Sequence, residues 1–346
     1  MTNKGVPVSR IHRLNQPMVR RVALGGVLTL VLSVALGSGV GVAAAETRDR
    51  NGDLTFMRQD QAGFWQTWVA DADLLHQRQL THEAANSGWP VWQPNRDRLA
   101  FDSDRADPDL SDDVAINDVF VMNADGSGLR KVTDSVGVSG DPAWSPDGSL
   151  LAYQADRGNY PAQQGIYVSR SDGTSPRRVT VLPADAGFDT TPRFSPDGRT
   201  LVFTRYRDDG QGGEESALFT IGLDGRHERQ VTSFALHAGD ATWSPDGRTL
   251  TLEAYPTPES RGDIYTVRAD GSHLRNLTRN DPQVAGSADP VWSPDGKLIL
   301  FLSVTRTLDG QETGGLTTMM PNGKKRAFIS ATPMFEHQPD WQPTQK

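Results

Sequence analysis

The chain has 346 residues, with 35 Lys and Arg against 43 Asp and Glu, which gives a formal net charge of −8 at pH 7. It contains no cysteine, and this excludes a disulfide framework, a thiolate metal site, a cysteine nucleophile and a lipid-modified cysteine. An acidic chain is also a poor match for the phosphate backbone of nucleic acids, so we expect no nucleic-acid partner.

The first 45 residues differ from the rest of the chain. Their only formal charges are five basic residues, which are followed by an uncharged apolar run from 22 to 42 and then by three alanines. This order is typical of an export signal, with cleavage expected near Ala45. An uncleaved anchor is the alternative, because about 20 apolar residues can span a bilayer. We expect residues 1–45 to be a signal peptide or membrane anchor, and residues 46–346 to be periplasmic or extracellular.

The part that follows the leader begins with an incomplete unit and continues as a repeat. Strand-like runs occur at 54–57, 64–69 and 79–81, with no matching first strand before them. From Trp92 onward an aromatic anchor recurs at 92, 144, 194, 243, 292 and 341, with spacings of 52, 50, 49, 49 and 49. Four copies carry the full run aromatic-Ser-Pro-Asp-Gly, which suits a type I hairpin turn.

Each full repeat contains four short strand-like runs, and this pattern at a period near 50 is typical of a β-propeller blade. Five complete units start at the anchors from Trp92 to Trp292. The last segment, 338–341, matches a first strand that nothing follows. We therefore predict an all-β, six-bladed propeller of four-stranded antiparallel blades. The C-terminal strand completes the N-terminal blade, and the domain is expected to be a monomer.

Two side-chain patterns predict how the blades are held. The aromatic anchors are expected to act as wedges between neighbouring sheets. The outermost strands carry cations such as Arg130 and Arg177, and charged edges discourage pairing with other molecules.

The run Asp-Pro-x-Trp-Ser-Pro-Asp-Gly, at 141–148 and 289–296, resembles the repeat of TolB-type propellers, the periplasmic component of the Tol-Pal envelope system. The resemblance covers about residues 50–346. It implies the six-bladed fold, an exported location and a role in binding other envelope or secreted proteins. TolB itself has an α/β domain ahead of its propeller, whereas this sequence predicts the propeller alone.

Polar residues at the starts of the innermost strands are expected to converge on one mouth of the channel. They could bind a polar ligand or a divalent cation. Alternatively, three of the aspartates share one repeat position, three residues before the anchor, and could accept backbone N–H bonds. We expect no cofactor and no catalytic residue. The candidate ligand-binding residues are Asp141, His237, Asp240, Asp289, Glu336 and His337.

These features favour a non-catalytic binding scaffold in the cell envelope. The alternative is a carbohydrate-active enzyme, a lyase or hydrolase, with a cation site at the channel mouth. A peptidase would need a Gly-x-Ser-x-Gly motif, which the sequence lacks.

Overall fold

The structure is a computed structural model that describes residues 51–94, 97–107, 117–133, 137–156, 163–183, 185–257, 260–279, 284–306, 312–329 and 336–343. The predicted leader lies outside these residues. Six four-stranded antiparallel sheets form the blades of a propeller, which confirms the predicted fold. None of the described segments forms a helix that could span a bilayer.

The strands follow the predicted order of four per blade. Blade 1 contains β24 (His337–Trp341), β1 (Leu54–Gln59), β2 (Trp65–Ala70) and β3 (Arg78–Gln79). Blade 2 contains β4 (Ser87–Trp92), β5 (Arg98–Ser103), β6 (Asp118–Asn123) and β7 (Arg130–Lys131). Blade 3 contains β8 (Val138–Trp144), β9 (Leu150–Asp156), β10 (Gly165–Arg170) and β11 (Arg177–Arg178).

The second half of the ring repeats this arrangement. Blade 4 contains β12 (Ala186–Phe194), β13 (Thr200–Asp208), β14 (Glu214–Gly222) and β15 (Arg229–Gln230). A short 3-10 helix, Phe234–Leu236, precedes blade 5, which contains β16 (Ala238–Trp243), β17 (Thr249–Ala254), β18 (Asp263–Arg268) and β19 (Arg275–Asn276). Blade 6 contains β20 (Val284–Trp292), β21 (Ile299–Arg306), β22 (Glu312–Met319) and β23 (Ala327–Phe328).

The ring closes through the pairing of β24 with β1. Leu54 lies opposite Trp341, and Thr55 lies opposite Asp340. The amide of Gln342 extends the closure, because it donates to the carbonyl of Asp53 at 2.7 Å. The prediction that the C-terminal strand completes the N-terminal blade is confirmed.

The Ser-Pro-Asp-Gly turns are held by their own side chains. The amide of Gly148 donates to the carbonyl of Ser145 at 2.8 Å, which closes the turn, and Gly148 has a φ of 67° that suits glycine. The hydroxyl of Ser145 donates to Asp147 Oδ1 at 2.6 Å and accepts from the amide of Leu150 at 2.9 Å. The motif therefore stabilises each hairpin between the first and second strands.

The aromatic anchors pack against the preceding blade, as predicted for wedges. Trp144 of blade 3 belongs to one apolar cluster with Val91, Ala100 and Val119 of blade 2. Trp341 likewise packs with residues of blade 6, including Leu300. Burial of one such side chain removes about 150 to 250 Å² from water, so the wedges contribute strongly to stability.

Arginines of the outer strands connect each of the first five blades to the next blade. The sequence predicts them to guard exposed edges, and the structure shows a further contact for each. Their guanidinium groups donate to backbone carbonyls in the last turn of the following blade. The donor and acceptor pairs are Arg78 with Ala124, Arg130 with Asp172, Arg177 with Leu223, Arg229 with Asp270, and Arg275 with Asn322.

The two faces of the disc differ in their connections. Because strands alternate in direction, the Ser-Pro-Asp-Gly turns all lie on one side, which we call the turn face. The opposite side, the loop face, carries the connections between blades, such as 82–86 and 233–237. The innermost strands begin at the loop face, where His237, Glu336 and His337 lie. Asp141, Asp240 and Asp289 lie further along these strands, inside the channel.

Candidate functional site

A β-bulge recurs within the innermost strands, at the residues just before each aromatic anchor. The residue three positions before each aromatic anchor has a left-handed backbone, with φ between 46° and 55°. This conformation costs about 1 kcal/mol or more for residues other than glycine, and bulges commonly re-aim a side chain. We call these six residues the inward ring: Trp89, Asp141, Thr191, Asp240, Asp289 and Gln338.

Carboxylates of the preceding blade accept the backbone amides of several inward-ring residues. The pairs are Asp141 N with Asp102 Oδ2 (3.1 Å), Thr191 N with Asp141 Oδ2 (3.2 Å), Asp289 N with Glu253 Oε2 (3.0 Å) and Gln338 N with Asp289 Oδ2 (3.1 Å). The predicted acceptance of backbone N–H bonds is thus confirmed for Asp141 and Asp289, and the amides belong to the next blade. These bonds fix the inward ring to its neighbours.

Three carboxylates of blades 5 and 6 converge at the mouth. Asp240, Glu253 and Asp289, which we call the acidic triad, each place an oxygen within 4.8 Å of the other two. Burial, followed by the charges of Asp289 and Asp141, raises the pKa of Asp240 to about 7. Burial and the charges of Asp240 and Asp289 also raise the pKa of Glu253. Both carboxyls would be stabilised by a positive ligand, and oxygen ligands of this kind could hold a divalent cation.

The inward ring lines a narrow cavity that opens to solvent and leaves about 20 Å³ for the centres of water-sized molecules. Its wall combines apolar residues such as Trp89 and Val291 with the charged side chains of Arg193 and Asp340. Arg193 donates to the carbonyl of Pro192 at 2.9 Å, and Asp340 accepts the amide of Trp92 at 2.8 Å. Burial raises the pKa of Asp340 to about 6. The cavity is therefore polar at defined points and apolar between them, as binding sites usually are.

The other predicted site residues have different surroundings. His337 places Nδ1 2.9 Å from Asp289 Oδ2, so it joins the edge of the acidic triad. Glu336 is buried in blade 1, where it accepts from Arg58 Nη2 at 2.6 Å. His237 ends the 3-10 helix with a φ of 48° and is not among the residues that line the cavity. The structure thus brings Asp141, Asp240, Asp289 and His337 together, and separates Glu336 and His237 from them.

Sequence reasoning missed several residues of the site. Thr191 and Gln338 occupy the same repeat position as Asp141, so a comparison by position instead of residue type would have found them. Glu253 lies on the second strand of blade 5, outside the repeat motif, and no sequence signal marks it.

Comparisons with known proteins agree with this architecture. A family model described as the TolB beta propeller domain matches residues 110–209 and 182–346. The Protein TolB homolog of Chlorobium luteolum is 32% identical over 149 residues, a match that covers 43% of this chain and 30% of that protein. The chain thus spans less than a third of that relative.

Solved structures share the fold at low sequence identity. TolB from Acinetobacter baumannii has a TM-score of 0.65 and 19% identity, over 89% of this chain and 72% of that chain. An oligogalacturonate lyase solved in complex with manganese has a TM-score of 0.53 and 14% identity, over 82% of this chain and 74% of that chain. Likeness at this identity reports the fold, which is shared by binding proteins and enzymes. Because the family match covers most of the chain, the protein belongs to the TolB beta propeller domain family.

Proposed function

We propose that this propeller is a non-catalytic binding scaffold, exported to the cell envelope, that holds a partner protein at the mouth of the cavity lined by the inward ring. Membership of the TolB propeller family supports the scaffold and its exported location. The observation that carries the proposal is the inward ring, which places residues of five blades around one cavity: Trp89, Thr191, Asp240, Asp289 and Gln338. The scaffold is proposed to act as a monomer, without a resident metal and with no nucleic-acid partner.

The bonding of the ring favours binding over acid–base chemistry. Asp141, Glu253 and Asp289 each accept a backbone amide of the next blade, so each has a structural task. The same bonds hold the inward side chains in place before a partner arrives. A preorganised surface loses less conformational entropy on binding, and this raises affinity.

Site-specific photo-crosslinking would test the scaffold proposal. A photoreactive amino acid replaces Trp89 at the mouth or, as the matched control, Leu129, which is exposed at the outer edge of blade 2. We expect one partner protein to be crosslinked from Trp89 in intact cells, and that partner to bind the purified propeller. Equal labelling from both positions, or no labelling from Trp89, would contradict the proposal.

The acidic triad also favours a second candidate, a carbohydrate-active lyase or hydrolase with a cation at the mouth. Its three oxygens lie within 4.8 Å of one another, and His337 beside Asp289 could serve as a base. Elemental analysis of the purified protein, with chelator effects on melting and turnover of polygalacturonate, separates the two candidates. The scaffold proposal predicts no bound metal, no chelator effect and no turnover.

A further inference from the structure

The mouth combines negative charge with few internal cations. Among the described residues that line the cavity, Asp240, Asp289 and Asp340 are acidic, whereas Arg193 is the single basic residue. Glu253 adds a fourth carboxylate beside Asp240 and Asp289. Carboxylates repel one another more strongly where water is partly excluded, so a bound cation would stabilise their ionised forms.

A second observation, outside the triad, also indicates a missing positive partner. Asp141 is fully buried, with 0% of its side chain exposed, and its Oδ2 accepts from Thr190 and Thr191 of the next blade. Its other oxygen, Oδ1, has no hydrogen-bond donor among the described residues. Asp141 belongs to the same inward ring as Asp240, and its charge acts on Asp240. A buried acceptor without a donor is costly, and a bound cationic group nearby would offset that cost.

The existing contacts show that nitrogen donors fit between these carboxylates. The side-chain amide of Gln338 donates to Asp289 Oδ1 at 2.6 Å and to Asp240 Oδ2 at 3.4 Å. An ammonium group has three N–H donors in tetrahedral directions. With hydrogen bonds of about 2.8 Å, its three acceptors lie about 4.6 Å apart. The acidic triad, whose oxygens lie within 4.8 Å of one another, can provide that spacing.

The apolar part of the wall suits the stem of a long cationic side chain. Trp89, Val91 and Val291 line the same cavity as Asp240 and Asp289. Lysine buries its methylene stem along apolar surface while its charged head reaches polar groups, and aromatic faces attract cations. Resting on the proposed binding role, we propose that the mouth takes a primary ammonium group, presented as a lysine side chain by a basic segment of the partner protein.

Matched peptides test this inference. Acetyl-Gly-Lys-Gly amide and its norleucine analogue, which keeps the stem but lacks the charge, are titrated into the propeller by calorimetry, and calcium chloride is titrated alone. We expect the lysine peptide to bind at least tenfold more tightly than the norleucine peptide. Asp240→Asn should remove this preference. Asp209→Asn, which changes an exposed turn carboxylate, should keep it.

Each outcome decides the inference. Equal binding of the two peptides, no binding of either, or a preference that survives Asp240→Asn in a variant with an unchanged melting curve would overturn it. Binding of calcium without binding of the lysine peptide would make the triad a metal site and would also overturn it. If a partner is crosslinked at Trp89 while the lysine peptide does not bind, the scaffold stands and the ammonium inference fails. If the lysine peptide binds in the predicted way but no partner is found, the inference stands and the scaffold fails.

Discussion

Removal of the closing strand should open the ring. A chain that ends at residue 335 lacks β24 and therefore loses Trp341, which is 3% exposed, and Glu336, which is fully buried. Loss of a buried tryptophan costs about 3 to 5 kcal/mol. Loss of Glu336 leaves the guanidinium of Arg58 buried without its ion-pair partner, which costs about a further 3 to 5 kcal/mol. The sum, about 6 to 10 kcal/mol, is comparable with the whole stability of a typical domain, about 5 to 15 kcal/mol.

Urea unfolding followed by circular dichroism measures this loss, and small-angle scattering reports whether the disc has opened. We expect the truncated chain to unfold at a much lower urea concentration and to have a larger radius. A peptide of residues 336–346 added in trans should restore part of the loss. A circular permutant that joins residue 343 to residue 51, with new termini in the exposed turn 210–212, keeps every strand and should unfold like the parent. A truncated chain as stable as the parent would refute the closure.

Three further predictions concern the wedges, the buried carboxyls and the rim. Trp144→Ala should lower the free energy of unfolding by about 3 to 5 kcal/mol in urea titrations, because Trp144 packs against blade 2. A loss below about 1 kcal/mol would contradict its role as a wedge between blades 2 and 3. Burial and the charge of Asp141 raise the pKa of Asp102 to about 8, so its stabilising contribution is complete below about pH 4 and is lost as the pH rises through 8. Melting temperatures should therefore fall from pH 5 to pH 8 more steeply in the parent than in Asp102→Asn, and parallel profiles would contradict this assignment. Arg177→Ala removes an exposed hydrogen bond to the Leu223 carbonyl and should lower the free energy of unfolding by less than about 1.5 kcal/mol. A loss as large as that of Trp144→Ala would show that the outer-strand arginines contribute more to stability than exposed hydrogen bonds do.

The fold could be predicted because its determinants are local and repeated. The Ser145 to Gly148 turn uses short-range hydrogen bonds that any copy of the motif can make, and the aromatic before it meets the preceding blade whenever blades stack. Ring closure followed from counting strands at the two ends. These features need no knowledge of distant contacts.

The site could be predicted only in part, because it depends on contacts between blades. Asp240 and Asp289 share a repeat position, so their convergence follows from the ring. Glu253 approaches them because its strand pairs beside the bulge of β16, a geometry that the sequence pattern does not mark. Glu336 was predicted to belong to the site but does not, because it forms an ion pair inside blade 1 with Arg58, which is distant in sequence.

Hydrogen exchange of the purified complex shows where the partner contacts the propeller. The partner crosslinked at Trp89 is mixed with the propeller, and amide protection is compared between the cavity and the outer strands. We predict new protection at residues 89–91 and 240–242, which line the cavity, and none at the outer strands 130–131 and 177–178. Protection confined to the outer strands would place the partner at the rim of the disc and would contradict binding at the inward ring.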